Sequence, residues 1–279
     1  MKKTLFDWMP QFTGVQVSVD TRTLKKGDLF IALTGKNFDG HHFIQQAYEK
    51  GAAGALVNQG AVYSASTPLP LLTVADTHRA LGQIAKIWRD NFNIPIIALT
   101  GSCGKTTTKA MVASILSHAG ETLVTEGTLN NDIGVPLTLL KLTDKHQFAV
   151  IEIGTNHFGE IAYATQITQP TIAAVLNAGP SHLEFLENVA SVAKEKSDIY
   201  QGADWGIINL DDQFASEWQK KVEYNQSHTL TFSMHNSSAD VWATVIASQV
   251  GVQSNGLNPP FILHIGPHSV PIQLSILGR

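Results

Sequence analysis

The sequence predicts an α/β protein built on a mostly parallel sheet, and three observations lead to this prediction. Short apolar runs alternate with segments of helical periodicity over most of the chain. One apolar run, residues 94–99, is followed at once by a glycine turn and a helical segment. Beyond about residue 228 the pattern changes to short alternating runs separated by turns. Strands that alternate with helices are typical of parallel sheets, whereas alternating runs favour a small antiparallel appendage.

The composition narrows the possible classes. With 279 residues, 43% of them apolar and 15% charged, the chain can hold about two domains with substantial cores. A net charge of −4 argues against a general nucleic-acid or membrane-surface binder. We expect neither a membrane span nor a signal peptide, because no apolar run has the required length or flanks. The single cysteine, Cys103, excludes an intrachain disulfide, so we expect a reducing, cytoplasmic location.

Residues 1–92 form the first predicted domain. Its strands are expected at 15–20, 28–33, 55–57 and 71–74, and its helices at 43–51 and 77–91. Two asparagines and a proline within residues 91–95 mark the boundary.

Residues 93–279 form the second predicted domain. Its strands are expected at 94–99, 148–153, 172–177 and 205–210, and its helices at 110–119 and 189–200. This alternation predicts a parallel sheet with helices on both faces. The antiparallel appendage is expected at 229–233, 241–248 and 261–265, with a loop at 251–260.

The segment 101–106, which reads Gly-Ser-Cys-Gly-Lys-Thr, predicts a triphosphate site. In such a turn the backbone N–H groups point inward, Lys105 reaches the outer phosphates, and Thr106 can hold Mg²⁺. The spacing is shorter than the common G-x-x-x-x-G-K-[ST] pattern, whose first glycine position is occupied here by Leu99. A helix N-cap after a tight turn, with a solvated lysine, is the alternative.

Two further side chains are expected at the carboxyl edge of the second sheet, where ligands of open parallel sheets bind. Glu152 ends the predicted strand 148–153 and is placed to anchor Mg²⁺. His182 follows the strand 172–177 and could hold a second divalent ion. The alternatives are a strand-end glutamate facing water and an ordinary surface histidine.

Two polar segments allow more than one interpretation. The run 130–136, Asn-Asn-Asp-Ile-Gly-Val-Pro, suits recognition of a polar substrate, although an ordinary turn has the same composition. Lys194, Glu195 and Lys196 lie on the predicted helix 189–200, and their spacing alone favours a solvated face.

Several passages together resemble the Mur ligase family in order and spacing over nearly the whole chain. They are 19–22 (Val-Asp-Thr-Arg), 27–33, 37–41 (Asn-Phe-Asp-Gly-His), 100–107, 130–140, 151–157 (Ile-Glu-Ile-Gly-Thr-Asn-His), 181–184, 192–200 and 277–279. The passages 129–136 and 152–157 point to the member of the family that adds D-alanyl-D-alanine.

The resemblance implies a role for each matching residue. The N-terminal α/β domain would bind the UDP-sugar substrate through Asp20, Thr21, Arg22, Asn37, Phe38, Asp39, Gly40 and His41, joined by Asn130, Asn131, Asn156 and His157. The central P-loop ATPase domain would bind ATP through Thr100, Gly101, Ser102, Cys103, Gly104, Lys105, Thr106 and Thr107. Thr106 and Glu152 would hold the first Mg²⁺, and His182 the second. The catalytic residues would be Lys105, His182 and Lys196.

Lys196 also matches the lysine that relatives carry as a carbamate, with Lys194 as the competing alignment. The implied activity is ATP-dependent joining of D-alanyl-D-alanine to UDP-N-acetylmuramoyl-tripeptide through an acyl phosphate. This reaction serves peptidoglycan synthesis and hence cell shape and division. A cytoplasmic monomer without a nucleic-acid partner is expected.

The family has a third, C-terminal domain that this sequence lacks, so the chain is expected to be a fragment. Alone, it is expected to bind the UDP-substrate and ATP weakly and to ligate poorly. The alternative from another class is a non-catalytic module that binds a UDP-sugar or a nucleotide. A ligase for folate-like acceptors is disfavoured by the first domain. A P-loop kinase or GTPase is disfavoured by the glycine spacing and by the lack of Asn-Lys-x-Asp.

Overall fold

The computed structural model describes residues 16–35, 37–63, 68–245 and 260–273. These residues form a four-stranded sheet followed by a nine-stranded sheet. The predicted α/β class, with a mostly parallel sheet and a small antiparallel part, is confirmed. Residue 15, most of the predicted loop 251–260, residues 246–248 and the matching passage 277–279 lie outside the described residues. No helix within the described ranges combines the length and apolar composition that a membrane crossing requires.

The first sheet is wholly parallel, with strands in the order β1-β2-β3-β4. Its strands are β1 (Val17–Ser18), β2 (Leu29–Ile31), β3 (Gly54–Asn58) and β4 (Leu71–Val74). Successive residues of β2 enter two different apolar clusters, Leu29 and Ile31 in one and Phe30 in the other. Because both faces of the strand are covered, its sequence is continuously apolar rather than alternating.

Two α-helices of the described residues accompany this sheet, α1 (Ile44–Glu49), which a 3-10 turn at Gly40–Phe43 precedes, and α2 (Thr77–Arg89). Asp76 starts α2, since its carboxylate accepts hydrogen bonds from the backbone amides of His78 and Arg79. One side of α2 packs on the first sheet, and the other side packs on the core that covers the second sheet. At Gly82 a Cβ atom would lie 2.1 Å from the Tyr163 hydroxyl, so only glycine permits this close approach. The two sheets are therefore held together through α2.

The second sheet has the order β13-β12-β11-β10-β9-β8-β5-β7-β6. Its strands are β5 (Ile96–Thr100), β6 (Thr122–Val124), β7 (Phe148–Glu152), β8 (Ile172–Val175), β9 (Trp205–Asn209), β10 (His228–Ser233), β11 (Val241–Val245), β12 (Phe261–Ile265) and β13 (His268–Ile272). The strand β5 lies between β7 and β8, and all three are parallel. The glycine turn therefore leaves the sheet between two neighbouring strand ends.

The antiparallel part is smaller than the sequence predicts. The predicted strand 229–233 corresponds to β10, which pairs parallel with both β9 and β11. Only the pairs β11–β12 and β12–β13 are antiparallel. The physical reason is the helix α8 (Ala215–Tyr224), which the sequence analysis did not predict. A helix between β9 and β10 supplies the crossover that a parallel connection requires.

Five further α-helices of the described residues accompany the second sheet, and several of them pack on its faces. They are α3 (Lys105–Leu116), α4 (Gly134–Leu139), α5 (Glu160–Thr168), α6 (Leu183–Leu186) and α7 (Val189–Ser197). Of these, α4, α5 and α6 are not in the sequence prediction. The helix α7 is held against α8, because the buried Trp218 of α8 donates its indole N–H to the carbonyl of Ala193 at 3.2 Å. The Tyr200 hydroxyl, just after α7, bonds to β8 and β9.

Candidate active site

The glycine turn presents the amino end of α3 at the carboxyl edge of the sheet. Gly104 has φ +79°, a left-handed conformation that favours glycine, and a Cβ there would meet no atom. The first helical bond runs from Thr108 N–H to the Gly104 carbonyl at 2.9 Å. The amides of residues 104–107 therefore have no protein acceptor in the described part of the chain. Such N–H groups at a helix N-terminus are suited to an anion.

Asn177, which sequence reasoning missed, holds the first half of the turn. Its side-chain oxygen accepts from the amides of Ser102 and Cys103, both at 3.0 Å, and its amide donates to the Cys103 carbonyl at 3.1 Å. The inward orientation expected for the whole turn is therefore not found at these two amides. Asn177 is the last residue of the predicted strand 172–177, and a polar side chain at that strand end was the available sign that it contacts the turn.

The other predicted residues of the turn occupy different depths. The Lys105 ammonium group donates to the Gly101 carbonyl at 2.7 Å and lies back over the turn. Thr106 and Thr107 are exposed at the start of α3. Thr100 is fully buried below them, and its hydroxyl has no partner among the described residues. The exposed alcohols are thus those of the two threonines that follow the lysine.

Glu152 lies at the head of this turn and is 2% exposed. The Thr106 hydroxyl lies 3.3 Å from its Oε2, and the Asn130 amide donates to its Oε1 at 2.7 Å. Its third partner is the buried ammonium group of Lys109, 3.1 Å from Oε2. The structure thus brings together three predicted residues, and it excludes the alternative of a glutamate facing water.

Lys109 is the second residue that sequence reasoning missed. It is 5% exposed, and an unpaired lysine at that depth would carry a large desolvation cost. The signal was its spacing, because residues three apart on a helix share a face and Thr106 precedes it by three. Lys109 supplies the positive charge that allows Glu152 to be buried as a carboxylate.

The solvated face expected for residues 194–196 is wrong for two of the three. Lys194 is exposed, but Glu195 and Lys196 are 3% and 2% exposed. The Glu195 carboxylate accepts from the amides of Gly159 and Ile161 at 2.9 and 3.0 Å, so it caps the start of α5. A cap from another helix gives no local pattern in the sequence.

The Lys196 ammonium group has no hydrogen bond or salt bridge within the described residues. Burial, together with the positive charge of Lys105, lowers the pKa of Lys196 to about 8, and the negative charge of Glu195 partly opposes the change. A lysine with this pKa is partly uncharged near neutrality, which is the form that reacts as a nucleophile.

His182 does not join this cluster. It is exposed with φ +52° and precedes α6, where its carbonyl accepts from Phe185 and Leu186 amides. Over the described ranges, no group of three histidine, cysteine or acidic side chains is arranged to hold a metal. The metal role of His182 stays a prediction.

Of the four other residues predicted to contact the substrate on this side, Asn130, Asn131, Asn156 and His157, only Asn130 reaches the Glu152 carboxylate. Asn130 contacts Glu152, whereas the Asn131 side chain accepts from the Gly134 amide at 2.8 Å and shapes a turn. Asn156 and His157 are exposed, and their backbone amides donate to the Glu160 carboxylate. The ordinary-turn interpretation thus describes Asn131, while Asn130 reaches the carboxylate.

The first sheet carries its predicted residues at two loops. Arg22 pairs with Asp20 through two N–H groups, and this hydrogen bonding lowers the pKa of Asp20. Thr21 is buried, its hydroxyl donates to Gln46 at 2.5 Å, and Lys50 donates to its carbonyl at 2.6 Å. Arg22 is therefore the solvent-facing member of the first loop, while Thr21 supports it.

The second loop is braced by His41, which is 2% exposed. Its Nε2 accepts from the Asn58 amide at 2.8 Å, so its Nδ1 carries the proton that bonds to Asp39 at 2.5 Å. At Gly40 a Cβ would lie 2.7 Å from the Leu33 carbonyl oxygen. Asp39, Gly40 and His41 thus fix the loop from below.

The tip of this second loop faces solvent. Phe38 is 54% exposed, and its ring lies against Gly35. Asn37 is exposed beside it, and a bridge between Thr34 and Asp39 closes the loop. An exposed ring and amide are the groups that a ligand could contact here.

A strand, a glycine turn and an open helix N-terminus place the chain in the class of α/β proteins with a phosphate-loop architecture. Two family models match it, the "Mur ligase family, catalytic domain" over residues 15–89 and the "Mur ligase middle domain" over residues 99–279. The chain belongs to the Mur ligase family, which confirms the resemblance noted in its sequence.

Within this family, the chain is similar to several proteins that carry the same name. The chain is 41% identical to the UDP-N-acetylmuramoyl-tripeptide–D-alanyl-D-alanine ligase of Escherichia coli (strain K12), over 94% of this chain and 56% of that protein. Its structure is similar to a crystal structure of MurF from Acinetobacter baumannii, with a TM-score of 0.83 and 36% sequence identity, and the match covers 93% of this chain and 55% of that one. For MurF from Thermotoga maritima in complex with ADP, the TM-score is 0.79 and the identity 25%, over 94% and 58% of the two chains. The chain spans about half the length of these relatives.

Replacing Lys109 with methionine removes the only cation paired with Glu152 in the described structure. We expect Lys109→Met to lower the free energy of unfolding by about 3–5 kcal/mol, because a buried carboxylate loses its partner. Urea denaturation measures this loss. Adding Glu152→Gln should recover most of it, and losses that simply add would contradict the coupling. The matched control is Lys141→Met, whose exposed pair with Glu126 contributes about 1 kcal/mol or less.

Replacing Lys196 with methionine removes a buried amine whose pKa is lowered from 10.5 to about 8. Between these two pH values the unfolded chain binds the proton and the folded chain does not, so wild-type stability should rise with pH across this window. The rise relative to Lys196→Met should be at most about 3 kcal/mol. Denaturation curves across this window measure it, with the exposed Lys194→Met as control. A flat difference between wild type and Lys196→Met would contradict the assigned burial.

Proposed function

We propose that this chain is the substrate- and nucleotide-binding part of an ATP-dependent ligase that joins D-alanyl-D-alanine to UDP-N-acetylmuramoyl-tripeptide. The observation that carries the proposal is the contact of Thr106 with the buried Glu152 at the glycine turn. The name of the 41%-identical relative and the ADP in a similar structure support it. The reaction would serve peptidoglycan synthesis in the cytoplasm, where ATP is available and a lone cysteine stays reduced.

The nucleotide phosphates are proposed to lie on the glycine turn. The open amides of residues 104–107 would donate to phosphate oxygens, and the Lys105 ammonium group would leave the Gly101 carbonyl to meet the outer phosphates. Asn177 keeps the turn in shape by holding Ser102 and Cys103. Positioning and charge neutralisation are the main contributions that phosphoryl transfer requires from a protein.

The donor set at Glu152 fits Mg²⁺. A threonine hydroxyl and a carboxylate are hard oxygen ligands, and Mg²⁺ at phosphate sites uses one or two carboxylates together with substrate phosphates and water. Thr106 and Glu152 would hold the ion, and the same carboxylate is shared with Lys109. When bound, Mg²⁺ neutralises charge on the phosphates. A second ion at His182 rests on the resemblance and on the position of this residue after β8.

The chemistry proposed is activation of a carboxylate. A carboxylate oxygen of the tripeptide attacks the γ-phosphorus of ATP, which forms an acyl phosphate and releases ADP. The amine of D-alanyl-D-alanine then attacks the acyl carbon, loses a proton, and displaces inorganic phosphate. Lys105 and the helix amides would stabilise the negative charge that develops during transfer. No protein nucleophile is required.

The UDP end of the substrate is assigned to the first domain, residues 1–92, and the reacting end to residues 93–279. The exposed groups at the carboxyl edge of the first sheet, Arg22, Asn37 and Phe38, are the proposed contacts. Asp20, Thr21 and the segment 39–41 would shape these loops. On the second domain Asn130, Asn131, Asn156 and His157 border the path to the nucleotide.

Carbamylation of Lys196 is part of the proposal. Its uncharged amine would bond to the carbon of CO₂ and release one proton, which yields a carboxylate on the side chain. Burial already favours the uncharged amine, and a negative group would be attracted to Lys105, whose effect on the Lys196 pKa exceeds that of the opposing Glu195. The exposed Lys194 lacks both features.

Titration calorimetry with Mg²⁺·ADP tests the nucleotide site. Wild type should bind Mg²⁺·ADP, and Glu152→Gln should weaken this binding about 10-fold or more while ADP without Mg²⁺ changes little. The matched control is Glu187→Gln, an exposed glutamate. Equal affinities in wild type and Glu152→Gln would contradict the metal assignment. Binding of Mg²⁺·ADP without binding of UDP-N-acetylmuramoyl-tripeptide would contradict the substrate assignment alone.

Carbon NMR with ¹³C-labelled bicarbonate tests the carbamate. Wild type and Lys194→Met should both give a carbamate resonance that is absent in Lys196→Met, because the lowered pKa of Lys196 leaves part of this amine uncharged at moderate pH. Loss of the resonance in Lys194→Met, or its persistence in Lys196→Met, would overturn the assignment to Lys196.

A further inference from the structure

His78 lies where the two sheets meet, at the start of α2. Its Nε2 is 3.3 Å from the Thr34 carbonyl oxygen, at the base of the second loop of the first sheet. Its Nδ1 is 3.5 Å from Asp132 Oδ2, in the loop that follows β6 of the second sheet. One imidazole ring thus contacts both domains.

The two partners of His78 are both acceptors. A carbonyl oxygen and a carboxylate offer no proton, so each needs an N–H from the ring. A neutral imidazole has one N–H and an imidazolium has two, so only the protonated ring offers an N–H to both acceptors. His41 provides a contrast within the same chain, because its Nε2 accepts from the Asn58 amide and a neutral ring satisfies both of its contacts.

The charges around His78 favour the protonated ring. Hydrogen bonding to Asp132 is the main reason that the pKa of His78 is raised, with Asp76 adding to it and partial burial opposing it. The pKa of Asp132 is lowered, chiefly by its hydrogen bond with His78, which agrees in direction. The remaining charged groups on this cavity of about 380 Å³ are Arg79, stacked over Tyr163, and Glu160, bound to His157.

The ring also connects two functional loops. Asp132 follows Asn130 by two residues, and Asn130 holds the Glu152 carboxylate at the phosphate turn. Asn131 fixes the turn between them through the Gly134 amide. Thr34 closes the loop 34–41, whose tip carries the exposed Phe38. Movement of Asp132 away from His78 would therefore disconnect the two loops from each other.

We propose that His78 is a positioning residue whose doubly protonated ring ties the loop 34–41 to the loop 128–133 and so aligns the first sheet with the nucleotide site. The tie is proton-dependent, because a neutral ring must release one of its two acceptors. The consequence for ligands rests on the proposed function, whereas the tie between the loops does not.

The sign of the pH effect follows from the raised pKa of His78. The contribution of the tie is fully present below the ordinary histidine pKa of about 6.5, and it is lost as the pH rises through the higher folded value. Arginine at this position would keep several donors at any pH below about 12, whereas glutamine would keep one side of the tie at most.

Amide hydrogen exchange over residues 128–133 in the full 279-residue chain tests the tie. After correction for intrinsic rates, wild type should be several-fold better protected at about pH 6 than at about pH 8.5. His78→Arg should be protected at both pH values, and His78→Gln and Asp132→Asn at neither. The control His118→Gln replaces an exposed histidine whose ring contacts the Ser114 carbonyl, and it should match wild type. NMR titration of the ring should show the pKa of His78 falling in Asp132→Asn.

Two results would overturn the proposal. One is equal protection of wild type at both pH values together with an unchanged profile in His78→Gln. The other is a His78→Arg variant that is unprotected at both pH values, as His78→Gln is expected to be. That result would mean that a permanently charged donor cannot replace the ring, so His78 would have a packing role rather than the proposed tie. Mg²⁺·ADP affinity measured on the same samples separates the failures. If amide protection of residues 128–133 depends on pH but Mg²⁺·ADP does not bind, the proposed function is contradicted and the tie is not. If Mg²⁺·ADP binds but amide protection does not change with pH, the tie is contradicted and the proposed function is not.

Discussion

A buried carboxylate is the constraint on which this site depends. Glu152 ends β7 at 2% exposure, so its charge must be balanced by groups from elsewhere in the chain. Lys109 on α3 supplies the charge, while Asn130 and Thr106 supply hydrogen-bond donors. Because these partners come from α3 and from the loop after β6, satisfying one carboxylate fixes the phosphate turn, that loop and the end of β7 relative to one another.

A second buried charge, that of Lys196, lacks a hydrogen-bonded partner in the described structure and is only partly balanced by Glu195. Lys196 is as deeply buried as Glu152, but Lys105 repels its ammonium form and no hydrogen bond within the described structure supports it. Perturbed groups of this kind concentrate at functional sites, where reactivity is retained at the expense of stability. The carboxylate of the neighbouring Glu195 instead accepts hydrogen bonds at the amino end of α5, and these bonds connect α7 to α5.

Periodicity and turn chemistry were enough to predict the parallel sheet, the glycine turn and the meeting of Thr106 with Glu152. These depend on local sequence and on the rule that parallel strand ends share an edge. Lys109 and Asn177 left only a positional signal, because their roles depend on partners distant in sequence. The burial of Lys196 left no local signal, because it depends on how the rest of the chain packs around α7. The parallel pairing of β10 was missed for a related reason. Its crossover helix α8 covers the sheet with only Ala215, Trp218 and Val222 buried.

The central claim is that the glycine turn and the Glu152 carboxylate together hold a nucleotide and its metal ion. The most direct measurement is a crystal structure with Mn²⁺ and ADP, because anomalous scattering locates the manganese. The account predicts manganese coordinated by the Thr106 hydroxyl or the Glu152 carboxylate, with the β-phosphate on the amides of residues 104–107. Manganese away from both residues, or phosphates away from these amides, would contradict it.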